Sequence, residues 1–235
     1  MKRSRLDRFI AYHCQIPKSQ VRLAVAQSRV QVNGEVVKQV QMLVSEFDEI
    51  LFDGVCVAQR QPCYLMLNKP AGILSATTDD AFTTVIDLVP DELCVDKASL
   101  HYAGRLDRAT TGLMLLTNDG AWSRAIAQAQ QKIKKYYRVT LANRLQQSDI
   151  DAFAKGFYFD YEQTWTRPAQ LEIVSDYEAV VVIDEGKYHQ VKRMFAQCGN
   201  RVVKLHRYRI GDLLLDSNLI EGRCRALSAH EIALF

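Results

Sequence analysis

The stretch HYAGRLDRATTGLMLLTNDG, residues 101–120, decides how the rest of the chain is read. It carries an acid, Asp107, between Arg105 and Arg108, followed by Thr110, Thr111 and Gly112. A short apolar run, residues 113–116, comes next and is closed by Asn118, Asp119 and Gly120. An apolar run of that length, bounded by turn formers, reads as a buried strand. Asp107 then sits on a polar loop leading into the core, where a carboxylate needs compensating partners. A structural ion pair anchoring a turn would fit the same pattern, because perturbed acids are often only structural.

Outward from this stretch, Tyr64, Leu65, Met66 and Leu67 form a second short apolar strand, stopped at Asn68-Lys69-Pro70 because proline cannot donate to a ladder. Residues 134–141 alternate like a strand, and 170–174 and 179–184 read as two more, followed by a turn at Asp184-Glu185-Gly186. Residues 84–89 suggest a short helix closed by Pro90. Asp119 is placed to cap a helix carrying Trp122 and Ile126, and residues 148–154 form a capped helix ended by Gly156. Residues 188–198 put Val191, Met194, Phe195 and Cys198 on one helical face. Gly199-Asn200 ends that helix, and Val202-Val203 returns as a strand. Strands dominate and helices intersperse irregularly, which predicts an α+β domain around a mixed, largely antiparallel sheet.

The first sixty residues have a different texture. Leu6, Phe9 and Ile10 share one helical face with Arg3, Arg5 and Arg8 off it; Pro17 suits the first turn of a second helix carrying Val21, Ala24 and Val25. Asn33-Gly34 and Asp53-Gly54 are two-residue hairpin signals between short apolar segments. The polar residues 59–62, lacking periodicity, serve as a linker. The expected division is a small module over 1–60 and a larger one over 61–235.

The chain has 235 residues, 48% of them hydrophobic, so a sizeable core is affordable and disorder is not expected. Net charge is only +3, but residues 1–40 hold eight Lys/Arg against Asp7 and Glu35, and residues 186–211 hold seven Lys/Arg and no acid. Clustered basic stretches are the footprint of a polyanion binder, although a solvated basic face has the same composition. Six scattered cysteines without C-x-x-C argue against a zinc site or a disulfide framework and fit a reducing compartment. No run approaches the length of a membrane span, and no apolar segment follows the basic start, so no secretory signal is read there. A soluble cytoplasmic protein is expected, with no membrane association and as a monomer.

Gly104-Arg105-Leu106-Asp107, Thr110-Thr111-Gly112-Leu113 and Thr117-Asn118-Asp119-Gly120 resemble the aspartate motif of the pseudouridine synthases, and most closely the branch acting on small-subunit ribosomal RNA. Leu67-Asn68-Lys69-Pro70-x-Gly72, Lys135-x-Tyr137 and the run from Glu185 through Gly186, Lys187, Tyr188, His189, Gln190, Val191, Lys192 and Arg193 to Met194 resemble the same branch, in the same order. Arg5-Leu6-Asp7 and Val30-x-Val32-Asn33-Gly34 are similar to a small S-four-like RNA-binding domain shared with a small-subunit ribosomal protein. Together the motifs span nearly the whole chain.

The resemblance implies isomerisation of a uridine to pseudouridine in 16S ribosomal RNA, with the same chemistry on large-subunit or transfer RNA as the near alternative. The base leaves C1′ through N1, turns over and rejoins through C5, so no cofactor, redox partner or metal is required. The resemblance gives the carboxylate role to Asp107, acting either as nucleophile at C1′ or as base at C2′, with Lys192 as its basic partner. It gives Tyr137 a place on the uracil and Arg105 the gap left by the flipped base. Lys69, His189, Gln190 and Arg193 are the expected RNA-binding neighbours, within a basic stretch from 187 to 209 that would line the RNA path. Arg5, Arg8 and Arg22 would hold phosphates on the first module. A non-catalytic assembly factor would share the basic modules without needing Asp107, Tyr137 and Lys192 together. A glycosidic hydrolase would call for a second carboxylate near Asp107, and the sequence offers no convincing one.

Overall fold

The computed structural model describes residues 3–57, 59–94, 96–127 and 132–235. The chain divides into two compact units, 1–62 and 63–235, with the short segment 119–121 grouped with the first.

In the first unit, helices Leu6–His13 and Lys18–Ala26 pack over a four-stranded antiparallel sheet in the order Glu35–Val36, Val30–Val32, Ile50–Phe52, Val55–Cys56. Both hairpin turns have two consecutive residues at positive φ, Asn33-Gly34 and Asp53-Gly54, the geometry whose twist matches that of the flanking strands. Leu6, Ile10, Val21, Ala24, Val30, Val32 and Ile50 form the core of this small unit. Asp7 is buried within it. Burial alone would raise its pKa, but Arg5 donates through Nε (3.1 Å) and Nη2 (2.8 Å), and the carboxyl stays below its usual range.

The second unit is built on one mixed sheet. Its path runs Gln170–Ser175, Glu178–Ile183, Lys135–Leu141, Val202–Ile210, Thr111–Thr117, Tyr64–Lys69, Cys224–Ala226, with Leu213–Leu214 and His101–Tyr102 paired at its side. All pairings are antiparallel except that of Val202–Ile210 with Thr111–Thr117. The strand Thr111–Thr117 shows no polar alternation because both of its faces are covered. Met114 and Leu116 join a cluster with Leu65, Leu67 and Val85, while Leu113 and Leu115 join one with Met66, Trp122 and Ile210. On the other half of the sheet, Tyr137, Val139, Val181 and Ile183 pack against Phe153 of helix Gln147–Lys155 and against Val191, Met194 and Phe195 of helix Gln190–Gln197.

One expected element is absent. Residues 84–89 form no helix; Thr84 makes a bridge to Leu74 and the segment turns, because the Asp87 carboxylate takes the Thr84 N–H (2.7 Å) and hydroxyl (2.9 Å). A side chain that satisfies the first backbone donor in this way stabilises a turn as readily as a helix start.

The parallel junction is tight. Gly112 has φ +105° and pairs with Arg207, and a Cβ at Gly112 would lie 2.2 Å from the Arg207 carbonyl oxygen. Gly112→Ala therefore combines a left-handed conformation with a backbone clash, and should lower unfolding free energy by on the order of 3 kcal/mol. A denaturant midpoint equal to wild type would show that the junction tolerates a side chain.

Candidate active site

The loop after His101–Tyr102 presents Asp107 half-buried, and nearly every carbonyl around it is already engaged. The Leu106 carbonyl accepts from Ser75 Oγ (2.6 Å), and the Leu106 N–H donates to the same hydroxyl. The Asp107 carbonyl accepts from Thr110 N–H (3.0 Å). The Arg108 carbonyl accepts from Gly72 N–H (2.8 Å) and Lys69 Nζ (3.2 Å), and the Thr110 carbonyl from Lys69 Nζ (3.0 Å). Arg207 reaches in from the neighbouring strand, donating through Nε to Leu113 (2.8 Å) and through Nη1 to Arg105 (3.4 Å). Two buried cations from two strands thus hold the loop that carries Asp107.

Lys192 comes from the helix Gln190–Gln197. Val191, Met194 and Phe195 turn into the core, which leaves Lys192 on the side facing the loop, and its Nζ lies 2.8 Å from Asp107 Oδ2. His189, at φ 48° and ψ 33° immediately before the helix, puts Nε2 3.5 Å from Asp107 Oδ1. A non-glycine residue held left-handed is the kind of local strain that functional sites retain. Tyr137 is buried in the cluster that also contains Leu106 and Val191, the chain neighbours of Asp107 and Lys192. Tyr136 lies on the opposite face of its strand, under the Arg209 guanidinium (4.6 Å) and 6.1 Å from the Tyr208 ring. Arg105, two residues before Asp107 in the chain, is exposed.

Several residues expected to touch RNA are occupied otherwise. Lys69 is fully buried, and its three N–H bonds go to the carbonyls of Pro70, Arg108 and Thr110. Gln190 is buried too, donating to Glu185 Oε1 (2.8 Å) and accepting from Lys187 N–H (2.9 Å), so it braces the turn before the helix. Arg193 pairs in-plane with both oxygens of Glu162 (2.7 Å each) and lies 3.6 Å above the Phe159 ring. Arg5 spends its fork on Asp7, whereas Arg8 and Arg22 remain exposed. Arg22 and Lys38 line a cleft of about 370 Å³ with Val25, Ala26 and Gln39, and none of its described lining residues is acidic. Within the basic stretch, Arg207 points into the protein, and His206 accepts or donates at 2.8 Å with the Thr111 hydroxyl, its pKa held down by burial. The sequence reading missed Arg207. Its signal was the strand alternation that sends Arg207 to the side opposite His206 and Tyr208.

Among the described residues no three His, Cys, Asp or Glu side chains gather in a metal-binding arrangement.

Residues 63–197 match the RNA pseudouridylate synthase family and residues 4–50 the S4 domain. A relative from Haemophilus influenzae, the ribosomal small subunit pseudouridine synthase A, is 44% identical over 97% of this chain and 97% of its own. The Pseudomonas aeruginosa protein of the same name is 42% identical over 97% and 98%. A crystal structure of a pseudouridylate synthase, 43% identical, superposes with a TM-score of 0.70 over 98% of this chain and 99% of that one. The chain belongs to the RNA pseudouridylate synthase family: it is an RNA-modifying isomerase with an S4 domain ahead of its catalytic domain.

Burial pushes the Lys69 ammonium down to about 8, while the field of Asp107 pulls it back up. Its folded pKa lies below the ordinary 10.5, so the unfolded chain binds more protons between those values and the Lys69 contribution to stability rises with pH in that window. In Lys69→Met three carbonyls lose the Lys69 donor, the Arg108 carbonyl keeping the Gly72 N–H, which should destabilise by about 3 kcal/mol near neutral pH. The gap between wild type and Lys69→Met, followed by denaturant unfolding, should widen from pH 8 towards 10. A gap that narrows there would refute this assignment.

Proposed function

We propose that this chain converts one uridine of 16S ribosomal RNA to pseudouridine, with Asp107 as the reacting carboxylate. The observation that carries the proposal is the 2.8 Å contact of Lys192 with Asp107 on a loop locked from behind by buried cations. The reaction moves no atoms in or out of the substrate. The N1–C1′ bond breaks, the base rotates, C1′ bonds to C5, the C5 hydrogen leaves as a proton, and N1 takes one up.

An ionised carboxylate facing the sugar serves both available routes, attack on C1′ or removal of the C2′ proton. Lys192 keeps that charge compensated in a half-dry site and fixes which oxygen faces outward, since Oδ2 is engaged at 2.8 Å and Oδ1 has His189 at 3.5 Å. Tyr137 is buried in the cluster that holds Leu106 and Val191, the chain neighbours of Asp107 and Lys192, which supports a place against the uracil and a part in loss of the C5 proton. Arg105, exposed two residues before Asp107 in the chain, can stack on the neighbours of the extruded base, which offsets part of its unstacking cost of a few kcal/mol.

The S4 unit would add affinity through phosphates, with Arg8, Arg22 and Lys38 as its exposed cations. The small-subunit assignment rests on the names of the relatives at 40–44% identity. We assign the protein to the cytoplasm, where ribosomal RNA is modified, and to a monomeric state; no helix among the described residues is long and apolar enough to cross a membrane.

Asp107→Asn should abolish pseudouridine formation while preserving fold and RNA binding. Lys192→Met should lower turnover by roughly 10²-fold, the scale of misplacing a reacting group. Measurable turnover by Asp107→Asn would remove that residue from the chemistry. Mapping pseudouridines in ribosomal RNA from cells lacking the gene should show one site lost from 16S RNA. A site lost from 23S or transfer RNA instead would redirect the target while leaving the chemistry in place.

A further inference from the structure

The hairpin of Tyr158–Phe159 and Thr164–Trp165 exposes three large aromatic side chains that the fold does not use. Tyr161 is 94% exposed, Trp165 63% and Tyr158 40%, with the Tyr158 and Trp165 rings 5.7 Å apart. An aromatic cluster left in water on one element marks a contact surface. Beside it lies a cleft of about 340 Å³ between the hairpin and the helix Gln190–Gln197, lined by Phe159, Asp160, Tyr161, Arg193, Ala196 and Gln197. That volume lies at the small end of ligand-sized clefts, roughly 300–1,000 Å³.

The cleft is rigid where it meets the helix. Gln197 Nε2 donates to the Tyr158 carbonyl (2.9 Å), and Arg193 binds Glu162 in-plane while stacking on Phe159. With three of its in-plane N–H groups engaged by Glu162 and Tyr188 and one face on Phe159, the Arg193 guanidinium is held as a flat wall of the cleft. A chain of contacts also links the wall of the cleft to Asp107. Arg193 Nη1 donates to the Tyr188 carbonyl (3.1 Å), the exposed Tyr188 ring stacks on His189 (3.9 Å, 18°), and His189 reaches Asp107. Ala196 lies one helical turn, about 6 Å, beyond Lys192.

We propose that this cleft and its aromatic rim hold an unpaired base of the RNA substrate, from a nucleotide close in sequence to the target uridine. The inference rests on the assignment of the chain as an RNA pseudouridine synthase. A flat guanidinium wall and exposed Tyr and Trp rings suit base stacking. The carboxylate of Asp160 repels phosphate and accepts hydrogen bonds from exocyclic amino groups, so the base rather than the backbone enters. Tyr188, between cleft and carboxylate, is placed to stack on an intervening base.

The chain has two tryptophans, and Trp122 is buried, so Trp165 reports on this surface by itself. Titrating the wild-type protein with 16S ribosomal RNA should quench its tryptophan emission, and Trp165→Phe should lose most of that quench while keeping most of the affinity. Tyr161→Ala and Trp165→Ala should each weaken binding about tenfold. The dependence of affinity on salt should stay unchanged, because no phosphate contact is lost. A fully paired RNA duplex should show none of these differences. Unchanged affinity in both alanine variants would overturn the inference, as would a loss accompanied by shallower salt dependence; the former, with loss of a protein partner, would make the rim a protein-docking face. Pseudouridine formation by the wild type in the same preparations tests the underlying assignment separately, so an active enzyme whose variants bind RNA normally sinks the cleft alone.

Discussion

The structure of the catalytic unit depends on two positive charges placed inside it. Lys69 and Arg207 are fully buried, an expensive location for a cation unless every donor finds an acceptor. Here most of the acceptors are backbone carbonyls of the loop around Asp107 and of the strand start that follows it, an irregular stretch short of backbone donors, and only Arg207 Nη2 among the described donors of the two cations lacks a hydrogen-bond partner. Each side solves the other's problem. The loop obtains donors that a sheet or helix would ordinarily supply, and the cations obtain solvation that water no longer provides. The negative charge of Asp107 adds to this by pulling the Lys69 ammonium back up against the effect of burial.

This arrangement dictates the central topology. Lys69 ends one strand and Arg207 lies within another, and both strands flank Thr111–Thr117, which begins where the loop ends. Arg207 can pass from its own strand to the carbonyl of Leu113 only because the two strands run parallel and touch closely at Gly112. The parallel pairing in this otherwise antiparallel sheet and Gly112, which has no room for a Cβ against the neighbouring strand, therefore serve the same loop. The helix bearing Lys192 then needs only an apolar stripe, supplied by Val191, Met194 and Phe195, to present a half-exposed cation to the carboxylate from the open side.

Much of this was legible in the sequence because local chemistry dictated it. The Asn33-Gly34 and Asp53-Gly54 turns, the buried run 113–116 and the amphipathic pattern after residue 188 each follow from backbone geometry or periodicity within a few residues. The charged residues were harder. A lysine or arginine reads in sequence as a surface cation; Arg193 and Arg207 lie in a segment whose basic character suggests RNA, and Lys69 in a motif that the family resemblance ties to RNA. Their actual partners, the 108 and 110 carbonyls, Glu162 and the 113 carbonyl, come from distant parts of the chain. Sequence shows that a charge is present; only the packing shows whether it meets water, another charge or a peptide dipole. The failed helix at 84–89 is a smaller case of the same kind, decided by Asp87 capturing the backbone of Thr84.

The difference between inward and outward cations bears on how such an enzyme divides its work. Contacts to phosphate weaken as salt rises, so a reactive centre oriented by RNA-binding charges would lose its geometry along with its affinity. Here the geometry at Asp107 is set by Lys69, Arg207 and Ser75, whose partners are all within the protein and largely out of solvent. Arg105, by contrast, stays exposed, and Lys192 and His189 are half-exposed at the mouth of the site. Substrate electrostatics can then vary with the RNA and the ionic conditions without disturbing the carboxylate. An isomerase that must break a glycosidic bond in one nucleotide and tolerate a large, flexible, highly charged substrate is served by this separation, and the buried cations are what make it physically possible.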